Sequence, residues 1–210
     1  MKDDLARYLA FSEQIPGWTR GKEAIALANA ASALNGDAVI VEIGSFLGSS
    51  AVILAGARKL KGSGRVHCVD PFDGSGDDFS TPHYSAILMA LSGHTPREHF
   101  ERYIRMAGVY KRVVTHQGTA AEIAATWTIP IDMLFLDGDQ TPAGARIAYE
   151  AWAPWLKVGG TIAIHNSSER EIDPEEDHHG QYLVAKTEIK RPQYTKRRVV
   201  SSLTFAQKAK

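Results

Sequence analysis

The sequence predicts a doubly wound α/β sheet of seven strands, mostly parallel and closed at the C-terminal end by an antiparallel hairpin. Three observations carry that expectation. The stretch Ala38 to Ser50, AVIVEIGSFLGSS, is an apolar β-branched run that ends in Glu42 and turns through Gly44 and Gly48. It then enters a helix-like run from Ser49 to Lys61. Further apolar runs follow, each leading through a turn into a helix-like segment, the order of βα units in a parallel sheet. Finally, Tyr194 to Val200 and Leu203 to Gln207 alternate as two strands joined across Ser201-Ser202.

Length and composition bound the rest. A chain of 210 residues suits one domain with a sizeable core, here residues 1–36 as an N-terminal helical cap and 37–210 as the sheet core. The formal net charge is zero, so neither a nucleic acid nor a membrane surface is expected as a partner. The lone cysteine, Cys68, lies inside an apolar run and reads as an inert buried thiol in a reducing compartment. No apolar run is long enough to span a membrane, and MKDDLARYLA is not a secretory signal, so a cytoplasmic location is expected.

In chain order, Asp3 to Gln14 carries Leu5, Tyr8, Leu9 and Phe11 at helical spacing, and Ile15-Pro16-Gly17-Trp18 breaks it. A second, Ala-rich helix runs from about Thr19 to Leu34 and stops at Asn35-Gly36. These two helices read either as a cover over a ligand side or as a layer over the sheet edge, and their apolar residues would also suit a homo-oligomer contact. After the glycine loop, Ala51, Ala55 and Ala57 allow a helix to sit close to the sheet. Arg65 to Val69 is the second strand, ending at Asp70. Asp73 to Tyr84 reads as a long polar loop, a lid or substrate loop, with a short helix from Ser85 to Leu91. Thr95-Pro96-Arg97-Glu98 is a capping box that opens a helix to about Ala107. Lys111 to His116 is a third strand, and Ala120 to Trp127 a helix. Ile131 to Leu136 is a continuous apolar fourth strand ending in Asp137-Gly138-Asp139-Gln140. Pro142 to Leu156 is helical, with Tyr149, Trp152 and Trp155 as core anchors. Gly159-Gly160 turns the chain into a fifth strand, Thr161 to Ile164, ending at His165-Asn166. Ser167 to His178 is a second polar loop rich in acids, and Gly180 to Ile189 is helical.

The glycine loop indicates the ligand. It reads Gly-x-x-x-Gly and lacks the middle glycine of a dinucleotide fingerprint. A carboxylate beside it, Glu42, would repel a pyrophosphate and attract an ammonium or sulfonium. Asp70 closes the next strand, where an acid can accept both hydroxyls of a ribose, and Phe72 reads either as a ring that stacks on an adenine or as a core-edge phenylalanine. Glu-x-Gly-x-x-x-Gly after a strand resembles the first motif of class I S-adenosylmethionine-dependent methyltransferases. With VDPF, LFLDGDQT and LKVGGTIAIHN it resembles their small-molecule and sugar O-methyltransferase subfamily, methyltransferase family 24, over residues 38–207. That resemblance implies a Rossmann-like fold and S-adenosylmethionine as cofactor, held by Glu42, Gly44, Ser45, Phe46, Gly48, Ser49, Ser50, Asp70, Phe72, Gly118, Thr119 and Asp137. It also implies transfer of a methyl group to the hydroxyl of a small-molecule acceptor.

In that subfamily the acids ending the fourth and fifth strands often hold a divalent metal. The resemblance therefore places a magnesium, manganese or other ion at Asp137, His165 and Asn166. The sequence departs from the pattern at Gln140, where histidine is usual, and at His165, where aspartate is usual. An imidazole ligand would shift preference away from magnesium. Without a metal, His165 is a candidate general base beside Asp137, its ordinary pKa of about 6.5 suiting that role. The other histidines, His178-His179 included, have no matched spacing partner, and most read as surface groups. Two rival readings remain: a methyltransferase-like protein that binds a metabolite without catalysis, and a nicotinamide-dependent oxidoreductase, against which the missing glycine and Glu42 both argue.

Overall fold

The computed structural model describes residues 2–169 and 177–210. Most of the acidic loop between Ser167 and His178 lies outside the described residues. The strands are β1 (Val39–Ile43), β2 (Arg65–Asp70), β3 (Val113–Gln117), β4 (Ile131–Leu136), β5 (Leu156–Ile164), β6 (Tyr194–Val200) and β7 (Leu203–Lys208). They form one sheet in the order β3-β2-β1-β4-β5-β7-β6. The pairs β3–β2, β2–β1, β1–β4 and β4–β5 are parallel; β5–β7 and β7–β6 are antiparallel. The chain winds outward from β1 to β3, then returns to β4 on the other side of β1. The strand order reverses between β1 and β4, and such a reversal opens a crevice at the carboxyl ends of the strands.

Helices cover both faces. Strand residues alternate between them, as a period of two requires. Ile40, Met133, Phe135 and Ala163 face α1 (Lys2–Ser12), α2 (Gly21–Ala33), α3 (Ser49–Leu60) and α5 (Pro96–Met106). Val41, Leu134, Leu136, Ile162 and Ile164 face α6 (Ala120–Ala124), α7 (Pro142–Trp152) and α8 (Gly180–Thr187). The alanines of α3 let it approach the sheet, and α1 and α2 then cover its outer side, so Ser49 through Arg58 are all buried. A Cβ on Gly56 would lie 2.4 Å from the Tyr8 ring, which explains why α1 docks there. The buried Arg58 guanidinium donates to the carbonyls of Ala31, Leu34, Gly36 and Ser63 and thereby ties down the end of α2.

Several boundaries differ from expectation. The polar stretch after Asp70 is a loop only to Phe79; α4 (Ser80–Leu91) takes the second half, because Asp77 accepts the Ser80 N–H and starts the helix early. The fifth strand begins at Leu156 rather than Thr161, and its pairing with β4 shifts register across Gly159 and Gly160. The third strand starts at Val113 after a 3₁₀ turn. Trp152 is a core anchor as expected, with Nε1 donating to the Ala120 carbonyl. No helix among the described residues is long and apolar enough to cross a membrane.

Candidate active site

The crevice at the carboxyl ends of β1, β2, β4 and β5 is a cavity of about 800 Å³, within the range of small-molecule sites. At one end the β1–α3 loop is clamped by Asp70. Its Oδ2 accepts the N–H groups of Ser45 and Phe46, both at 2.9 Å, and its Oδ1 accepts that of Phe72 at 2.7 Å. Burial pushes the Asp70 carboxyl up, and these three donors pull it back. Gly44 has φ +85°, and a Cβ there would lie 2.2 Å from the Asp137 carbonyl oxygen. The glycine therefore serves the close approach of the β1 and β4 loops to one another, and it lines the cavity. Gly118 and Thr119, at the end of β3, line the same end; the Thr119 side chain also caps α6 through Glu122.

In the middle stands His165, 3% exposed. Its Nδ1 lies 2.8 Å from Asp137 Oδ1 and its Nε2 lies 3.4 Å from Glu23 Oε2. Glu23 arrives from α2, and its other oxygen accepts both the N–H and the hydroxyl of Ser202, at 2.7 and 2.6 Å. Burial works against a charged imidazole here, but two flanking carboxylates outweigh it and hold the His165 pKa at about 10. The Glu23 carboxyl is likewise held below its usual range, its bonds to His165 and Ser202 outweighing its burial. Burial pushes the Asp137 carboxyl up.

The far wall is aromatic. Trp18, Phe46 and Tyr84 pack on one another with centroid distances of 5.8, 5.3 and 4.6 Å. Asp77 joins three segments: it accepts from Ser80, from the Gln140 N–H at 3.2 Å, and faces His178 Nδ1 at 3.3 Å. Its carboxyl lies well below the usual range because these bonds together outweigh its burial.

The family model described as a methyltransferase domain (Methyltransf_24) matches residues 41–167, more than half of the chain. The chain belongs to this methyltransferase family. It is an S-adenosylmethionine-dependent methyltransferase of class I. Solved structures share its fold at low identity. Cofactor-bound Rv0187 from MTB is 18% identical, over 98% of this chain and 89% of that one, with a TM-score of 0.68. TomG from Streptomyces achromogenes, an O-methyltransferase involved in tomaymycin synthesis and solved with SAM, is 19% identical, over 99% and 90%, with a TM-score of 0.64. A methyltransferase from Geobacter sulfurreducens is 18% identical, over 97% and 89%, with a TM-score of 0.62.

In this methyltransferase the crevice brings together Gly44, Ser45, Phe46, Ser49, Ser50, Asp70, Gly118, Thr119, Asp137, His165 and Asn166. Three expected contacts fall elsewhere. Glu42 is fully buried behind the loop, where Oε2 accepts the Ser45 hydroxyl at 2.6 Å; it does not line the cavity. Phe72 takes the core-edge alternative: it turns into the core, packs on Phe100 at 4.9 Å and does not line the cavity. Gly48, with φ +92°, caps α3 and leaves room for the Phe100 ring. Ser49 lines the wall but is already held by Arg20 and by the Ser12 carbonyl.

The His165 expectations also need correction. Both of its ring nitrogens face carboxylates, Nδ1 toward Asp137 and Nε2 toward Glu23, so neither is turned to a shared metal position or free toward an acceptor. Among the described residues no three His, Cys, Asp or Glu side chains form a group able to hold a metal ion, and the donor set does not fit the metal pattern. Of the other histidines, some take part in buried or cavity contacts. His178 lines the cavity, and His67 Nδ1 lies 2.9 Å from His116 Nε2 between β2 and β3. Asp77 and Tyr84 fall in the stretch expected as a lid or substrate loop and line the cavity, though neither was singled out. Glu23 and Trp18 were missed, because an acid in an Ala-rich helix and an isolated aromatic do not mark a site.

Proposed function

We propose that this methyltransferase moves a methyl group to a hydroxyl oxygen of a small-molecule acceptor, with Asp137 taking the proton. The observation that carries the reading is the lining of the crevice at the strand tips. Its acids, Asp70, Asp77, Asp137 and Asp139, and the aromatic faces of Trp18, Phe46 and Tyr84 suit a cationic donor. The same lining opposes a pyrophosphate, which disfavours the nicotinamide reading.

Bound S-adenosylmethionine supplies a methyl group made electrophilic by its sulfonium. The residues supply the rest. Asp70 holds the loop closed with three backbone donors, and Oδ1, with one of them, keeps capacity for a ribose hydroxyl. Gly118 and Thr119 border the base end. Trp18, Phe46 and Tyr84 exclude water from the acceptor end and hold an acceptor near in-line geometry. Asp137 lines the cavity with its Oδ1 fixed by His165. Burial raises its pKa, which makes it a better proton acceptor than an exposed aspartate.

The test is calorimetric. S-adenosylhomocysteine should bind the intact protein, and Asp70→Ala should weaken that binding by more than about tenfold, since hydrogen bonds to a charged group contribute about 1.5–3 kcal/mol each. An intact protein that does not bind it would reject the reading.

A further inference from the structure

We propose that a cation built into the chain, the His165 ring clamped between Glu23 and Asp137, takes the place of a divalent metal at the tips of β4 and β5, with Glu23 as the positioning residue that fixes it. The inference rests on the methyl-transfer reading for its purpose, but the clamp is tested separately.

The argument begins with the donors. Asp137 ends β4 and His165 follows β5, the two neighbouring strand tips from which a metal would be held. A metal there needs lone pairs facing one point. Instead, Nδ1 faces Asp137 at 2.8 Å and Nε2 faces Glu23 at 3.4 Å, on opposite sides of one ring. A ring between two carboxylates, buried with them, has a use for both protons and for its positive charge.

The second carboxylate is not incidental. Glu23 sits on α2, far from β5 in sequence, and its position is fixed from behind by two bonds from Ser202 in the β6–β7 turn. That turn is itself held to the strand end by Ser167, whose hydroxyl bonds the Ile164 and Ser202 carbonyls at 2.8 and 2.9 Å and accepts the Thr204 N–H. The N-terminal helix and the C-terminal hairpin thus converge on one imidazole. Asp137 is the carboxylate of the cluster that lines the cavity, its Oδ1 facing the ring at 2.8 Å. The arrangement holds that oxygen in place and neutralises its neighbour without an exchangeable ion.

The experiment uses the full chain and manganese chloride alone as the probe, by calorimetry and thermal shift, with proton NMR of the histidine ring N–H groups in parallel. Wild type should bind no manganese up to about 1 mM, the range of weak protein sites, and should show both His165 ring protons protected from exchange. Glu23→Gln should lose the protected Nε2 proton while Glu23→Asp restores it, and neither should gain manganese binding. His165→Asp replaces the cation with a third carboxylate and should bind manganese at least tenfold more tightly than wild type. Stoichiometric manganese binding by wild type, or a wild-type ring with a single protected proton, would overturn the proposal. Both of those measurements need no variant to fold. A protein that fails to bind S-adenosylhomocysteine yet shows the two protected protons would sink the methyl-transfer reading and leave the clamp standing.

Discussion

Glu42 carries a carboxyl into the interior, where burial pushes its pKa up to about 7 against the opposing bond from Ser45. Its place follows from parity. In the sheet it lies beside Cys68 and Phe135, on the face covered by α3, so it cannot turn to the crevice while β1 stays in register. The sequence showed an acid next to a glycine loop; which face it occupied depended on the strand register. A carboxyl with a raised folded pKa favours the folded state at low pH. That contribution is lost as pH rises from about 4.5, the unfolded value, through about 7. Glu42→Gln should therefore match wild type near pH 4 and exceed it at pH 8, by up to about 3 kcal/mol for a shift of this size. Urea denaturation at the two pH values measures the difference, and parallel curves would contradict it. Asp70, one residue past the buried run of β2, escapes this constraint and reaches the crevice as its position in the sequence suggests.

The βα turn from Ile43 to Ser49 is the element on which the crevice depends, and it was legible because its chemistry is local. Gly44 answers a steric need that other residues cannot meet: φ +85° and a backbone 2.2 Å from where a Cβ would sit. Gly44→Ala should cost about 1–2 kcal/mol in backbone strain alone, move the loop away from Asp137, and weaken S-adenosylhomocysteine binding by more than about tenfold in calorimetry. A variant with unchanged affinity would show that the loop tolerates the displacement. The capping box at Thr95 was equally local and forms as read, with Glu98 returning to the Thr95 N–H at 2.8 Å. α4 was misread because its first turn is polar. Asp77, which starts it, bonds also to Gln140 and faces His178, partners more than 60 residues away.

At the scale of the molecule, the crevice joins the β1–α3 loop, the Pro16–Thr19 segment, α4 and the strand tips, so a ligand that fills it bridges elements from most of the chain. S-adenosylhomocysteine at 100 times its dissociation constant should add about 2.7 kcal/mol to stability and raise the melting temperature by roughly 5–10 °C. A thermal shift assay reads this directly, and no shift at saturation would place the ligand elsewhere. The sequence by itself determined the run of βα units of a doubly wound sheet, the terminal hairpin, the glycine turn and the acid at the tip of β2, because each is set by periodicity or by turn chemistry within a few residues; the order of the strands across the sheet came from the structure. Only the tertiary structure decided that Glu42 and Phe72 are interior, that Trp18 and Tyr84 close the wall, and that His165 is bound on both sides by Glu23 and Asp137. Those outcomes depend on which distant elements meet, and in a three-layer fold a residue's neighbours come mostly from strands and helices far along the chain.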